Sequence, residues 1–257
     1  MSALVILEWT FKPPDYFEEP IEIVYRDHTL TITRGKAEAK LDPVLFDANP
    51  AISRTLHDQL NDMFIGVEVV THRPYQISRP ATKRLCPDGR QGVFLIVEPA
   101  RVTMTANPDV QVRDKNGNII ADSRRERIEK KKTLAELVRR YRLQDETLAV
   151  LLRSYDAAVR DPDNELVYLY EIPEALSTKF GGETAVRSEL GISSADWSAF
   201  GRLCNKEPIR QGRHRGKSGL ALRDATPSEL NEARRIARTM IEAYLSYFHK
   251  HGGKSSS

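Results

Sequence analysis

The sequence predicts an α+β fold, with an antiparallel β-rich region over residues 1–122 and an all-helical bundle over 123–250. Two observations carry this reading. Before residue 123, short β-branched segments alternate with turn residues. After it, apolar residues recur at helical spacing between caps and glycine stops. Composition agrees with a folded chain. The 257 residues are 40% hydrophobic and 29% charged, which excludes collagen-like and wholly disordered classes.

In chain order, Leu4–Thr10, Ile21–Arg26 and Leu30–Arg34 read as strands, with a turn at Arg26-Asp27-His28-Thr29. After Pro50, the spacing of Ile52, Leu56, Leu60 and Met63–Phe64 predicts a helix packed on the sheet. Gly66–His72, Gly92–Val97 and Arg101–Thr105 read as further strands. Asn116-Gly117, between alternating flanks, predicts a tight hairpin.

The helical half opens with a charged helix over 123–143, with a capping-box restart at Thr133 and Glu136. Glu146–Val159 puts Leu148, Leu151, Leu152 and Tyr155 on one face, and Asp161-Pro162 stops it. Asn164–Phe180 follows, with a kink or break at Pro173 and an end at Gly181-Gly182. Glu183–Leu190 ends at Gly191, and Ser193 with Asp196 caps the next helix. The last helix opens on Thr226-Pro227-Ser228-Glu229 and carries a wide apolar stripe from Leu230 to Phe248. Residues 251–257 read as a frayed tail.

Net charge is only +3, so a nucleic-acid reading rests on local clustering. Cys86 and Cys204 are too few for a disulfide framework or a zinc ribbon and read as free thiols of a reducing compartment. The start has no basic leader and no apolar run is long enough to span a bilayer, so a cytoplasmic chain without membrane contact is expected. His28, His57 and His72 show no metal-ligand spacing. No phosphate loop, dinucleotide fingerprint, HExxH or GxSxG is present, so no metal and no cofactor is expected.

The stretch between the last two helices is the most unusual. It holds Arg202, Lys206, Arg210, Arg213, Arg215 and Lys217 against the single acid Glu207, with Gly212, Gly216 and Gly219 interspersed. Guanidinium groups suit phosphate because the planar fork makes bidentate, charge-assisted bonds. His214 stands among cations that favour its neutral form, which can accept a proton. A neutral imidazole beside arginines is the minimal kit for metal-free RNA cleavage: the base takes a ribose 2′-hydroxyl proton and the arginine stabilises the phosphorane charge. The plain alternative is a solvated basic loop whose arginines pair with acids.

A helical bundle with a polar Arg/Asn…His motif before its final helix resembles the HEPN superfamily, over roughly residues 124 to 250. The resemblance implies an RNA-binding bundle of a defence or toxin–antitoxin type system. It also implies a metal-independent endoribonuclease site and a homodimer that composes it. His214 would be the base and Asn205 the orienting polar group. Arg210 lies closer to His214, and Arg202 farther from it, than the family's spacing, so the catalytic arginine stays open among Arg202, Arg210 and Arg213.

A second basic cluster comprises Arg124, Arg125, Arg127, Lys130, Lys131, Lys132, Arg139, Arg140 and Arg142. A helix with this face would track a phosphate backbone, and its alternative is a solvated helix with internal ion pairs. Leu190–Phe200 reads alternatively as the turn and second helix of a DNA-binding helix-turn-helix. Against that, Arg187 stands where a small residue belongs, and the outward face lacks base-reading donors. Tyr168, Tyr170, Trp197, Phe200, Tyr244, Tyr247 and Phe248 read as core, or as a base-stacking platform for any that are exposed. The β-rich region is expected to sense a signal or bind a protein partner. Three functional classes therefore stand side by side: an RNase, a non-catalytic RNA- or DNA-binding protein, and an interaction module.

Overall fold

A computed structural model describes residues 4–85, 91–94, 109–113, 116, 118–213 and 221–251. The α+β expectation holds: an antiparallel sheet region precedes a helical one. The helical run begins at Ser123. The chain forms two compact units, residues 1–67 with 75–133, and residues 68–74 with 134–257.

In the first unit, β1 (Leu4–Lys12), β2 (Ile21–Val24), β3 (His28–Thr33), β4 (Lys36–Leu41), β5 (Gln76–Ile77), β6 (Ala81–Leu85) and β7 (Gln91–Phe94) form one antiparallel sheet. Its order is β2-β3-β4-β1-β6-β7, with β5 on the end of β1. Alternation assigns the faces. Val5, Leu7, Trp9 and Phe11 of β1 are buried, as are Leu30 and Ile32 of β3 and Ala37 and Ala39 of β4. The register sets Trp9 and Ile32 on either side of Ala37, and Leu7 and Leu30 on either side of Ala39. Small residues between large ones let the layer interdigitate. On the other face Glu8 binds Lys36 and Lys83, each at 2.7 Å. Gly35, at φ 75°, closes the β3–β4 hairpin where an L side chain would be strained.

After α1 (Pro43–Ala48), capped by Asp42, comes α2 (Ile52–Thr71). Phe64 of α2 meets Phe11, Phe17 and Tyr16 with ring centroids 4.9, 5.0 and 5.2 Å apart. Trp9 Nε1 donates to His57 Nδ1 at 3.1 Å. Gly66–His72, expected as a strand, is instead the end of α2 up to Thr71. Residues 62–70 are all buried, Asp62 and Glu68 included, so no exposed polar face marks the helical period, and a short mainly apolar run alone does not separate helix from strand.

The expected strand 92–97 overlaps β7, with 95–97 outside the described residues, as is all of Arg101–Thr105. β8 (Gln111–Arg113) and β9 (Ile119–Asp122) pair as the hairpin expected around Asn116; Gly117 itself lies outside the described residues. The turn expected at residues 26–29 is tighter, because β3 already begins at His28 and Tyr25 N–H donates to its carbonyl at 2.8 Å.

The helical region comprises α3 (Ser123–Tyr141), α4 (Glu146–Arg160), α5 (Glu165–Phe180), α6 (Glu183–Leu190), α7 (Ser194–Gly201) and α8 (Pro227–His251). One expectation is corrected here: α3 runs through Thr133 without a restart. Of the two outcomes expected at Pro173, a kink or a break, the break does not occur, since α5 runs on through it. Pro173 is buried in the bundle, where packing outweighs the lost backbone hydrogen bond. Residues 252–257 of the expected tail lie outside the described residues.

Within the second unit, Ile236, Ala237, Met240, Ile241 and Tyr244 of α8 are buried, as are Leu148, Leu151 and Leu152 of α4 and Leu166, Leu169 and Ile172 of α5. Asp145 caps α4 through Leu148 N–H at 2.7 Å and accepts from Tyr244 Oη at 2.9 Å. Glu165, 1% exposed, takes Arg234 through two bonds of 2.6 and 2.7 Å. His72 lies beside it, Nε2 3.4 Å from Glu165 and Nδ1 3.3 Å from the Tyr155 hydroxyl. Burial pushes the His72 pKa down to about 3, helped by Arg234 and Arg238, so its ring is neutral. Among the described residues, no helix is long and apolar enough to cross a membrane.

Candidate functional site

The basic stretch begins where α7 widens into a π-type turn over Arg202–Lys206. That turn is anchored by Leu203 and Cys204, 1% and 0% exposed, which turn Arg202 and Lys206 outward. Burial pushes the Cys204 thiol pKa well up, so it is a protonated core residue and not a nucleophile. It is free of any disulfide; Cys86 lies outside the described residues.

Beyond the turn the backbone folds back on itself. Arg210 N–H donates to the Arg223 carbonyl at 2.9 Å, and Arg223 N–H to the Pro208 carbonyl at 3.1 Å. Gly212 is buried, and a Cβ there would sit 3.1 Å from the Ile209 carbonyl oxygen. The next residue, Arg213, then donates its N–H to the Cys204 carbonyl at 2.9 Å. His214, Arg215 and Lys217 lie outside the described residues.

The three candidate arginines go to different places. Arg202 pairs with Glu207 at 2.6 Å, and Glu207 also binds Arg223 at 2.8 Å. Hydrogen bonds from Arg202 and Arg223 hold the Glu207 carboxyl below its ordinary pKa. Arg223 continues to Glu229, whose pKa it holds down at about 2 with help from Thr226. Arg210 reaches Asp224 at 3.2 Å. Arg213 pairs with Glu174 of α5 and lies over the Tyr170 ring, its guanidinium carbon 5.4 Å from the centroid. The hydrogen bond to Glu174 raises the Arg213 pKa.

Asn205 meets Arg213 on the same tyrosine: its amide N–H donates to the Tyr170 hydroxyl at 3.3 Å. Asn205 Oδ1 is buried without a hydrogen-bond partner among the described residues, a spare acceptor beside that hydroxyl. Tyr170 and Glu174 line a cleft of about 490 Å³ whose other walls include Trp197, Phe200, Ser177 and Thr178. Asn205 and Arg213 therefore edge a small aromatic cleft with one carboxylate inside it.

Of the cleft wall, Tyr170, Trp197 and Phe200 are among the aromatics that read from the sequence as core or as a base-stacking platform, whereas Glu174, Ser177 and Thr178 carry no such signal alone. Tyr170, Glu174, Ser177 and Thr178 share one face of α5 by their spacing, and that mixed aromatic and polar face is the signal that would have marked them.

The α3 cluster is placed differently. Lys131 is 5% exposed and bonds to Glu18 at 2.6 Å, with Arg127 on the same carboxylate at 2.7 Å. These bonds hold the Glu18 pKa at about 2. Lys131 is thus an internal ion pair of the first unit, and its expected role as a phosphate contact is corrected. Arg124 and Lys132 lie 3.5 and 3.8 Å from Glu19. Lys132 also lies 3.8 Å from Glu129, and Arg139 bonds to Glu136 at 2.7 Å. Arg125 is exposed at the helix start, Lys130 is half-buried, and Arg140 is exposed over the Tyr141 ring. Arg124, Arg127, Lys131, Lys132 and Arg139 are thus paired with carboxylates, mainly Glu18 and Glu19 from outside the helix. In the helix-turn-helix segment, the Asp196 carboxylate accepts from Arg235 and its backbone N–H donates to Ser193 Oγ.

No family model, no curated protein and no solved structure matches the chain.

Proposed function

We propose that the helical unit is a HEPN-like RNA-binding domain that cleaves RNA without metal, with His214 as base, Arg213 as phosphate stabiliser and Asn205 as orienting group. One observation supports it most: Asn205 and Arg213 converge on Tyr170 at the mouth of an aromatic cleft. Arg202 and Arg210 face Glu207 and Asp224 instead, which favours Arg213 among the three. In the reaction, the imidazole would take the 2′-hydroxyl proton as the 2′-oxygen bonds to phosphorus, the guanidinium would leave Glu174 for the developing phosphorane, and the P–O5′ bond would break with a proton from the imidazolium or water going to the 5′-oxygen. An exposed ion pair of this kind is worth only about 0–1 kcal/mol, so the exchange costs little. The homodimer, the cytoplasmic setting, the defence-type role and a protein partner for the β-rich unit belong to the same proposal.

The test is incubation with a mixed RNA pool in EDTA. Wild type is expected to leave cyclic-phosphate ends, and His214→Ala to lose about 10²-fold or more in rate at an unchanged thermal midpoint. Absence of cleavage by either protein would overturn the nuclease reading. The second reading, a non-catalytic RNA or DNA binder using the same loop, is favoured by the ion pairing of Arg202, Arg210 and Arg213. It predicts salt-dependent gel shifts without turnover.

A further inference from the structure

We infer that the α5–α7 cleft is a guanine pocket, taking a single guanine base of a single-stranded RNA. This rests on the RNA-binding reading above and names what that site selects. At about 490 Å³ the cleft suits one nucleotide and not a duplex. Its walls include Tyr170, Trp197 and Phe200, and any base stacks on an aromatic face regardless of sequence. Selection must therefore come from the polar group inside.

The wall carries the hydroxyls of Tyr170, Ser177 and Thr178 and one carboxylate, Glu174; hydroxyls both donate and accept, so the discriminating group is Glu174. A carboxylate only accepts hydrogen bonds, through two adjacent oxygens. Guanine alone presents two adjacent donors, N1–H and the 2-amino group, on its Watson–Crick edge. Adenine and cytosine each set one amino donor beside a ring nitrogen lone pair, and uracil flanks its one N–H with two carbonyls. Each of these would turn a lone pair toward the carboxylate.

Arg213 completes the argument. It now occupies both parts of the cage, its guanidinium over Tyr170 and its charge on Glu174, with the side chains of Arg213 and Glu174 42% and 48% exposed. A guanine nucleotide brings donors for Glu174 and a phosphate for Arg213. Both charges keep a partner when the pair opens.

The chain supplies its own probe. Of its two tryptophans, Trp9 is 0% exposed in the sheet unit, whereas Trp197 lines the cleft. The full-length protein is titrated with the 3′-monophosphates of guanosine, adenosine, cytidine and uridine, reading tryptophan fluorescence. In parallel, labelled single-stranded oligouridine with and without one guanosine is followed by anisotropy. Guanosine monophosphate is expected to quench at a concentration roughly tenfold or more below the other three, the discrimination a bidentate base contact supplies. Trp197→Phe should remove the quench, and Glu174→Gln should keep quenching but lose the preference. Equal quenching by all four nucleotides, with oligonucleotides still bound, would overturn the guanine pocket and leave RNA binding standing. A preference that survives Glu174→Gln would overturn it as well. No binding of nucleotide or oligonucleotide would overturn both.

Discussion

At Glu68, burial and neighbouring charges act against ionisation. The side chain is 0% exposed, neither oxygen has a nitrogen or hydroxyl donor among the described residues, and its neighbours are the Asp156 carboxylate and the Arg160 guanidinium. Desolvation first, then Asp156, raises its pKa to about 9, so the folded chain keeps a proton that Glu68 can share with Asp156. The unfolded chain releases that proton near the ordinary value of 4.5, so the folded state binds more protons between these limits and stability falls as pH rises through them. His72 has the opposite sign. Its folded pKa of about 3 against 6.5 unfolded makes stability fall as pH drops through that window. The two slopes oppose each other between about 4.5 and 6.5, where the thermal midpoint should peak. Glu68→Gln is expected to flatten the alkaline limb, raising the midpoint at pH 8 and leaving it nearly unchanged at pH 4.5. A parallel shift at both pH values would refute the assignment. At Arg213 the expectation concerns binding. Arg213→Ala leaves Glu174 unpaired in the cleft and should weaken RNA binding more than Arg202→Ala, while both thermal midpoints stay close to wild type, as for exposed ion pairs. Gel shifts and melting curves on the two variants decide this.

Among the elements, α8 has the start that the sequence announces. Thr226 Oγ1 accepts from Glu229 N–H at 3.2 Å and Thr226 N–H donates to Glu229 Oε2 at 2.8 Å, the reciprocal box that Thr-Pro-Ser-Glu spells. Thr226→Ala should cost about 1 kcal/mol in a denaturant titration. In the sheet, Ala39 sits between Leu7 and Leu30 at 0% exposure, and Ala39→Leu should cost about 1–3 kcal/mol by overpacking. A cost below about 0.5 kcal/mol would mean that the sheet face gives way there. These elements were legible because their signals are local: a cap within four residues, alternation along β1, a glycine at a turn. The end of α2 was not, since continuous burial over 62–70 erases the polar face that distinguishes helix from strand. β4 escaped because its buried residues include two alanines between charges, whose place is earned only beside the large residues of β1 and β3. The site divides the same way. The basic loop is contiguous and visible, but Asn205 meets Tyr170 35 residues away in the chain and Arg213 meets Glu174 39 residues away. Only the packing of α5 against the turn after α7 brings them together.

For the molecule as a whole, a net charge of +3 with Arg202, Arg210 and Arg213 already paired means that RNA must compete with carboxylates for these contacts. The affinity should fall with salt, and Arg213→Ala should reduce the slope of log affinity against log salt by about one. An unchanged slope would place the phosphate contact elsewhere. The membership of residues 68–74 in the helical unit has a further consequence. Arg238 donates to the Val69 carbonyl at 2.9 Å across 169 residues of chain. On the ribosome, this end of α2 emerges long before Arg238 of α8 exists to meet the Val69 carbonyl. At roughly 5–20 residues per second the delay is on the order of 10 to 30 s. A nascent chain stalled before α8 would therefore hold this helix end, buried in the finished fold, with the Val69 carbonyl still open, and that interval is when a chaperone has something to bind.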